Sequence, residues 1–319
     1  MKKLTISLMT LSIAALLAMN SCRNKEEAEP GLTDAELNTT STQVSDNDNV
    51  SSSIDDALDI VNTDLAETDP NGRMEAEAAS CGFTVNRTSY NSTLPGTSQK
   101  TVVYTFTNTL CNGATRTGTI TATLISGNFF KDKGATYKLV FAGFGVTRNG
   151  ETATLSGTQT VINVSGGLPR FVIARPSEFS TVMHKVSGDM SLTLSEAAGT
   201  RNWSIDRELT WANNAGVLSF TVNSNKSVNG YSNVVSTGIN RAGYTFYTQI
   251  LSPIVANSAC GWYRPTSGQR RHILTETTDG SVLFTSDAVV NTGSDGCGNG
   301  FTITTTNKSG KVRSRTVTY

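Results

Sequence analysis

Two carboxylates, Asp206 and Glu208, are the closest this chain comes to a glycosidase pair. On one strand they would point the same way with Cα atoms roughly 6.5–7 Å apart. Around them, in Trp203-Ser204-Ile205-Asp206-Arg207-Glu208-Leu209-Thr210-Trp211, polar residues alternate with large apolar ones. That alternation assigns both acids to a solvent-facing side. Arg207 breaks the pattern: it falls on the apolar side between two tryptophans, where a guanidinium stacks on a ring or snorkels outward. Trp203, Arg207 and Trp211 are therefore one candidate ligand site. The second is Gly261-Trp262-Tyr263-Arg264-Pro265, with Arg270, Arg271, Lys308, Lys311, Arg313 and Arg315 further on. Flat aromatic faces stack on sugars or bases, and guanidinium forks grip carboxylate, sulfate or phosphate. The simpler reading of that stretch is aromatic core filler beside a solvated basic edge.

Other chemistries find no foothold. There is no Gly-x-Ser-x-Gly elbow, and the two histidines, His184 and His272, stand without a nucleophile motif beside them. Asp46-Asn47-Asp48-Asn49 begins like a calcium loop but lacks the glycine and the distal glutamate. No Cys-x-x-Cys, phosphate loop or dinucleotide fingerprint occurs, so no catalytic residue, metal or cofactor is expected.

The elements that must carry these residues are strands. Val102, Tyr104 and Phe106 share one side, as do Tyr137, Leu139 and Phe141; Met190, Leu192 and Leu194; and Leu218, Phe220 and Val222. Period-two patterning rich in Thr, Val and Tyr, punctuated by Asn112-Gly113, Asn149-Gly150, Asn229-Gly230 and Asp279-Gly280, predicts antiparallel hairpins. The fold class is all-β: residues 79–319 form a large antiparallel β-sandwich or an extended multi-stranded sheet. A cysteine, a turn and a threonine-rich strand recur at Cys111 and at Cys297, which raises two related halves as an alternative. Four cysteines in an oxidising compartment imply two disulfides, and Cys81–Cys111 with Cys260–Cys297 is the favoured pairing because each pair brackets one hairpin unit.

The first residues give the address. Lys2 and Lys3 precede an apolar run over 4–18, too short for a comfortable span, and Met19-Asn20-Ser21-Cys22 follows as a relaxed lipobox. Residues 1–21 read as a lipoprotein signal and Cys22 as the acylated anchor, the means by which the chain partners a membrane. Residues 22–78 read as an acidic, flexible tether with one short amphipathic helix at about 51–66, where Ile54, Leu58, Val61 and Leu65 recur at helical spacing. The charges divide sharply. Residues 23–77 hold 15 acidic and 3 basic residues, a balance of −12; residues 78–319 hold 11 and 21, a balance of +10. A basic body suits anionic partners, though it also serves solubility.

Several of these stretches together resemble a group of exported lipoproteins of Bacteroidota-type bacteria. The likeness rests on Lys25, Glu26 and Glu27 as a surface-export-like signal after Cys22, on Asp55-Asp56-Ala57-Leu58, on Cys111-Asn112-Gly113 leading into Arg116–Ile120, on the run from Trp203 to Trp211, and on the late Cys260 and Cys297. It departs at Thr107-Asn108-Thr109-Leu110, where such chains carry an Asp-Phe-Gly-like step. The resemblance implies export, lipid anchoring and a β-rich body, and no particular reaction. The expectation is a surface-exposed outer-membrane lipoprotein that binds or builds, with an anionic glycan or envelope component as partner and no specific nucleic-acid binding. Two other roles stay open, glycan binding or processing, and periplasmic envelope assembly or lipid handling. An apolar concave sheet would favour lipid handling, an exposed aromatic strip would favour glycans, and a closed carboxylate-lined cleft would favour an enzyme.

Overall fold

The computed structural model describes residues 31–69, 82–111, 113–195 and 197–319. Its first element corrects the tether. A single helix, α1, runs Asp34–Glu67, 34 residues or about 50 Å long. It replaces both the flexible spacer expected up to residue 50 and the short helix expected at 51–66. A capping box starts it: the Thr33 hydroxyl accepts from the Glu36 amide, and the Glu36 carboxylate accepts from the Thr33 amide at 2.8 Å. Leu37, Val44, Val50, Ile54, Leu58, Val61 and Leu65 are all buried. So are Thr40, Gln43, Asp46, Asn47, Asp48 and Asp55, and that polar burial is why hydrophobic periodicity stops short of the first half.

Among the described residues, fourteen antiparallel strands form one continuous sheet, with no break between two halves. Strands β1 (Phe83–Asn86), β2 (Thr101–Cys111), β3 (Ala114–Ser126), β4 (Thr136–Arg148), β5 (Glu151–Asn163), β6 (Thr181–Leu194) and β7 (Ala197–Asn214) pair in sequence order. Next come β8 (Val217–Asn223) and β9 (Val234–Ile239), which share one position between β7 and the long β10 (Thr245–Asn257): β8 pairs one half of each long neighbour and β9 the other. Strands β11 (Ser267–Thr275), β12 (Val282–Thr292), β13 (Gly298–Asn307) and β14 (Val312–Thr318) complete the sheet. The expected turns hold at Asn149-Gly150 and Asn229-Gly230, where both residues have positive φ, as a two-residue hairpin turn of this kind requires. One glycine is there for closeness: at Gly118, in the bulged β3–β4 pairing, a Cβ would lie 2.1 Å from the Gly143 carbonyl oxygen.

The sheet is the extended kind and not a sandwich, because its concave side is filled by α1. Helix groups reach strands all the way round. Tyr104 of β2 donates to Asp64 and Tyr137 of β4 to Asn62; Ser236 of β9 and Thr248 of β10 donate to Asn47; Thr40 bonds Thr305 of β13. Among the described residues, nine ion pairs join residues 34–69 to the sheet and its loops. Those at Arg116–Asp56 (2.5 Å), Arg207–Asp55 (2.9 Å) and Arg270–Asp48 (2.6 Å) are deeply buried. Acids of residues 34–69 and bases of the body are thus partners, and much of the opposed charge of these two described segments is matched within the structure. Burial of Ile54, Leu58, Val61 and Leu65 stabilises the helix by roughly 1.5–3 kcal/mol each. The buried pairs add little net energy because desolvation offsets attraction, and they fix which turn of the helix meets which strand.

Candidate functional site

The helix is not covered equally on all sides. Thr42, Ser45, Asn49, Asp59 and Ile60 keep partial exposure, and with Ser52, Asp56 and Thr63 they form one stripe at helical spacing. That stripe is the floor of a groove with two lobes. The wider lobe, about 480 Å³, is walled by Arg116 of β3, Arg148 of β4, Arg170 before the short helix α2 (Phe171–Ala174), and the loop Ser258–Arg264. The narrower one, about 290 Å³, lies between Asn149 and Glu151 on one side and Phe301, Thr318 and Tyr319 on the other. Arg148 and Tyr263 line both lobes, and the guanidinium sits 5.1 Å from the Tyr263 ring centroid as a pillar between them.

The arginines are not equally committed. Arg116 grips Asp56 with Nε at 2.5 Å and Nη2 at 2.7 Å. Arg264 donates to the Gly298 carbonyl at 2.7 Å and to Asp295 at 2.8 Å. Arg148 is the under-partnered one: Nη2 stands 3.7 Å from Asp56, Nη1 reaches Ser52 at 3.4 Å, and Nε has no hydrogen-bond partner among the described residues. Burial pushes its pKa down, the partly desolvated state in which a guanidinium gains most from an arriving anion. Arg170 stands 3.8 Å from Asp59 and donates from Nε to Thr63 at 3.0 Å. Burial raises the Asp59 pKa, opposed by Arg170 and by a hydrogen bond from the Trp262 side chain.

The loop bearing Trp262, Tyr263 and Arg264 is bolted in place. The Cys260–Cys297 disulfide forms as expected and ties it to the turn that carries Asp295. Closing a loop of 37 residues in this way is worth about 3–4 kcal/mol on a chain-entropy basis. Cys111 is also disulfide-bonded. Its expected partner Cys81 lies outside the described residues, as do Cys22, Lys25, Glu26 and Glu27.

Of the two candidate sites read from the sequence, the structure dismantles one and keeps the middle of the other. Trp203 and Trp211 are core residues, 1% and 0% exposed, packed on Phe246 and Phe220 at ring distances of 4.4 and 4.8 Å. Arg207 faces inward as its position demands, and there it pairs with Asp55. Asp206 and Glu208 do point outward, toward Lys226 at 3.8 Å and Lys185 at 2.8 Å. The basic residues after Arg264 do not converge. Arg270 turns inward to Asp48, Arg271 outward to Asp287, and Arg313 and Arg315 meet the helix start at Asp34 and Asn38. Trp262, Tyr263 and Arg264 do line the wide lobe. Trp262 stacks on Phe220 at 5.1 Å and meets Trp211 edge-on at 5.6 Å, so it joins core to groove. The residues missed were Asp56, Asp59, Arg116, Arg148, Arg170 and Tyr319. Asp56 and Arg116 fall in stretches that carry the resemblance, but nothing in the sequence marks any of the six as a site residue, and only the helix running through the sheet brings them together.

No protein-family model matches the chain, and neither a curated protein nor a solved structure matches it.

Proposed function

We propose that this is an exported, lipid-anchored protein of the outer membrane whose body binds an anionic, hydroxyl-rich ligand, of the acidic-glycan kind, in the groove over α1. The observation that carries the reading is Arg148, a partly desolvated guanidinium with an unused Nε, stacked on Tyr263 at the waist of a groove flanked by Arg170, Arg264 and Trp262. Cation plus flat ring is the combination that holds a carboxylate or sulfate on a sugar. The inner face of the sheet is apolar, the feature that would favour lipid handling, but the helix is packed into it, so the groove over α1 is the better supported place for a ligand. Binding is measured by titration calorimetry of the detergent-solubilised chain with uronate-containing, sulfated and neutral oligosaccharides. Acidic ones should bind with an affinity that falls as salt rises. Arg148→Ala and Arg264→Ala should each weaken them at least tenfold while thermal unfolding changes little. Equal affinity for neutral sugars, or no effect of either variant, sinks the reading.

The cell-surface assignment rests on Cys22 and on Lys25, Glu26 and Glu27, and it has its own test. Protease added to intact cells should shave the protein, and changing all three export-signal residues to alanine should protect it. Protection of the unaltered protein in intact cells but not in lysed ones would place the body in the periplasm.

A further inference from the structure

The two lobes differ in charge, and the difference bears on what the ligand must be. The wide lobe has Arg116, Arg148, Arg170 and Arg264 against Asp56 and Asp59. The narrow lobe shares Arg148 but adds only acids, Asp48 and Glu151, beside the rings of Tyr263, Phe301 and Tyr319. Asp48 is bound to Arg270 at 2.6 Å, and Glu151 accepts from Asn49 at 3.1 Å, so neither acid is short of a partner. The Tyr319 hydroxyl is different: it is buried, has no hydrogen-bond partner among the described residues, and belongs to a side chain lining the lobe. Its ring is held edge-on by Phe301 at 5.6 Å and Tyr263 at 6.5 Å, so the hydroxyl is positioned before anything binds. A buried hydroxyl left unpaired is destabilising, and a ligand group that bonds it relieves that state.

We propose that the groove reads two successive units of one linear ligand: an acidic unit in the wide lobe, its charge on Arg148, and an uncharged, hydroxyl-bearing ring in the narrow lobe, stacked on Tyr263 and bonded to the Tyr319 hydroxyl. The proposal rests on the anion-binding reading above and extends it. Asp48 is matched by Arg270, but among the described residues Glu151 bonds only the neutral Asn49 amide, and its charge disfavours a second anion in the narrow lobe, so a ligand acidic at every unit fits worse than an alternating one. The waist at Arg148 and Tyr263 sets the register, because one guanidinium serves both lobes and only the unit beside it can present an acid.

The probes are methyl glucuronide, a glucuronate–N-acetylglucosamine disaccharide and a diglucuronate, titrated calorimetrically into the full-length chain and into Tyr319→Phe and Tyr319→Ala. The alternating disaccharide should bind about tenfold more tightly than the methyl glycoside, and the diglucuronate should gain nothing from its second unit. Tyr319→Phe keeps the ring wall and removes only the hydroxyl, and Tyr319→Ala removes both. Each should take away most of the disaccharide's advantage while methyl glucuronide affinity is unchanged, and the Phe variant, which loses a buried unpaired hydroxyl, should melt no lower than the parent. Equal affinity for all three probes, or a Tyr319→Phe effect of the same size on the methyl glycoside, overturns the two-unit site while the anion-binding reading stands. Binding by none of the three overturns both.

Discussion

Arg207→Leu should lower unfolding stability by about 3–5 kcal/mol, among the largest effects of any single change in this protein. The guanidinium is 4% exposed and reaches Asp55 at 2.9 Å, and Asp55 is itself 7% exposed at its side chain. Burial already raises the Asp55 pKa against the opposing pull of Arg207, and Asp48 nearby repels it further. Without Arg207 the buried carboxylate keeps only the weaker pull of Arg270 against burial and Asp48, and it will take up a proton instead of staying charged. That gives a signature a simple packing defect lacks. With its folded pKa raised still higher above the unfolded value, Asp55 contributes stability below the unfolded pKa and loses it as pH rises through the folded one. The variant's deficit should therefore be largest near neutrality and shrink in acid. Arg207→Leu combined with Asp55→Leu should recover most of the loss, because two apolar side chains replace two desolvated charges. Lys185→Ala, which breaks the surface pair with Glu208, should produce no measurable change. Urea unfolding of the four proteins followed by far-ultraviolet circular dichroism decides it. A double variant as unstable as the single one would mean that the pair supplies stability and not merely register.

The same contact explains what the sequence reveals and what it hides. Alternation is a local property, so the strands, the turn residues and the inward face of Arg207 were all readable one segment at a time. The second half of α1 was readable for the same reason, through Ile54, Leu58, Val61 and Leu65. Its first half was not, because Thr40, Asn47, Asp46 and Asp48 are buried by pairing with Thr305, Ser236, Arg241 and Arg270. Those partners lie between 189 and 265 residues away in the chain. Buried polar residues leave no hydrophobic period behind. Two signals were nonetheless present. Thr33-x-x-Glu36 is a capping box, and the opposed charges of leader and body are what an internal ionic match looks like in composition. The groove was less legible still. Trp262, Tyr263 and Arg264 stood out as aromatics beside a cation, but Arg116, Arg148 and Arg170 look like any strand or loop arginine until the helix gives them a common floor. Reading Trp203 and Trp211 as ligand platforms failed because a tryptophan on the inner side of a filled trough is core, however well its chemistry suits a sugar.

His184 should set the acid limit of the fold. It is 1% exposed on β6, edge-on to Tyr137 at 6.3 Å, and neither ring nitrogen has a hydrogen-bond partner among the described residues. Burial alone pushes its pKa down to about 3. The folded value thus lies below the unfolded one, so the stability it contributes is complete above about pH 6.5 and drains away as pH falls toward 3. The limiting slope is about 1.4 kcal/mol per pH unit. His272 acts in the same direction, lowered by burial and then by Arg270. Asp46, Asp48, Asp55, Asp59 and Asp64 act in the opposite one, since burial raises each of them and protonation then favours the folded state. The total pH profile mixes these contributions, but a difference against one variant isolates His184. His184→Leu keeps a side chain of similar size against Tyr137 and removes two unpaired nitrogens, so it should be at least as stable as the parent at pH 7.5. Between pH 6 and pH 4 its advantage should widen by about 2–3 kcal/mol in urea unfolding. Parallel stability curves for parent and variant across that range would mean that the imidazole is solvated or paired in the folded protein, and that the interior of the trough is wetter at β6 than its packing implies.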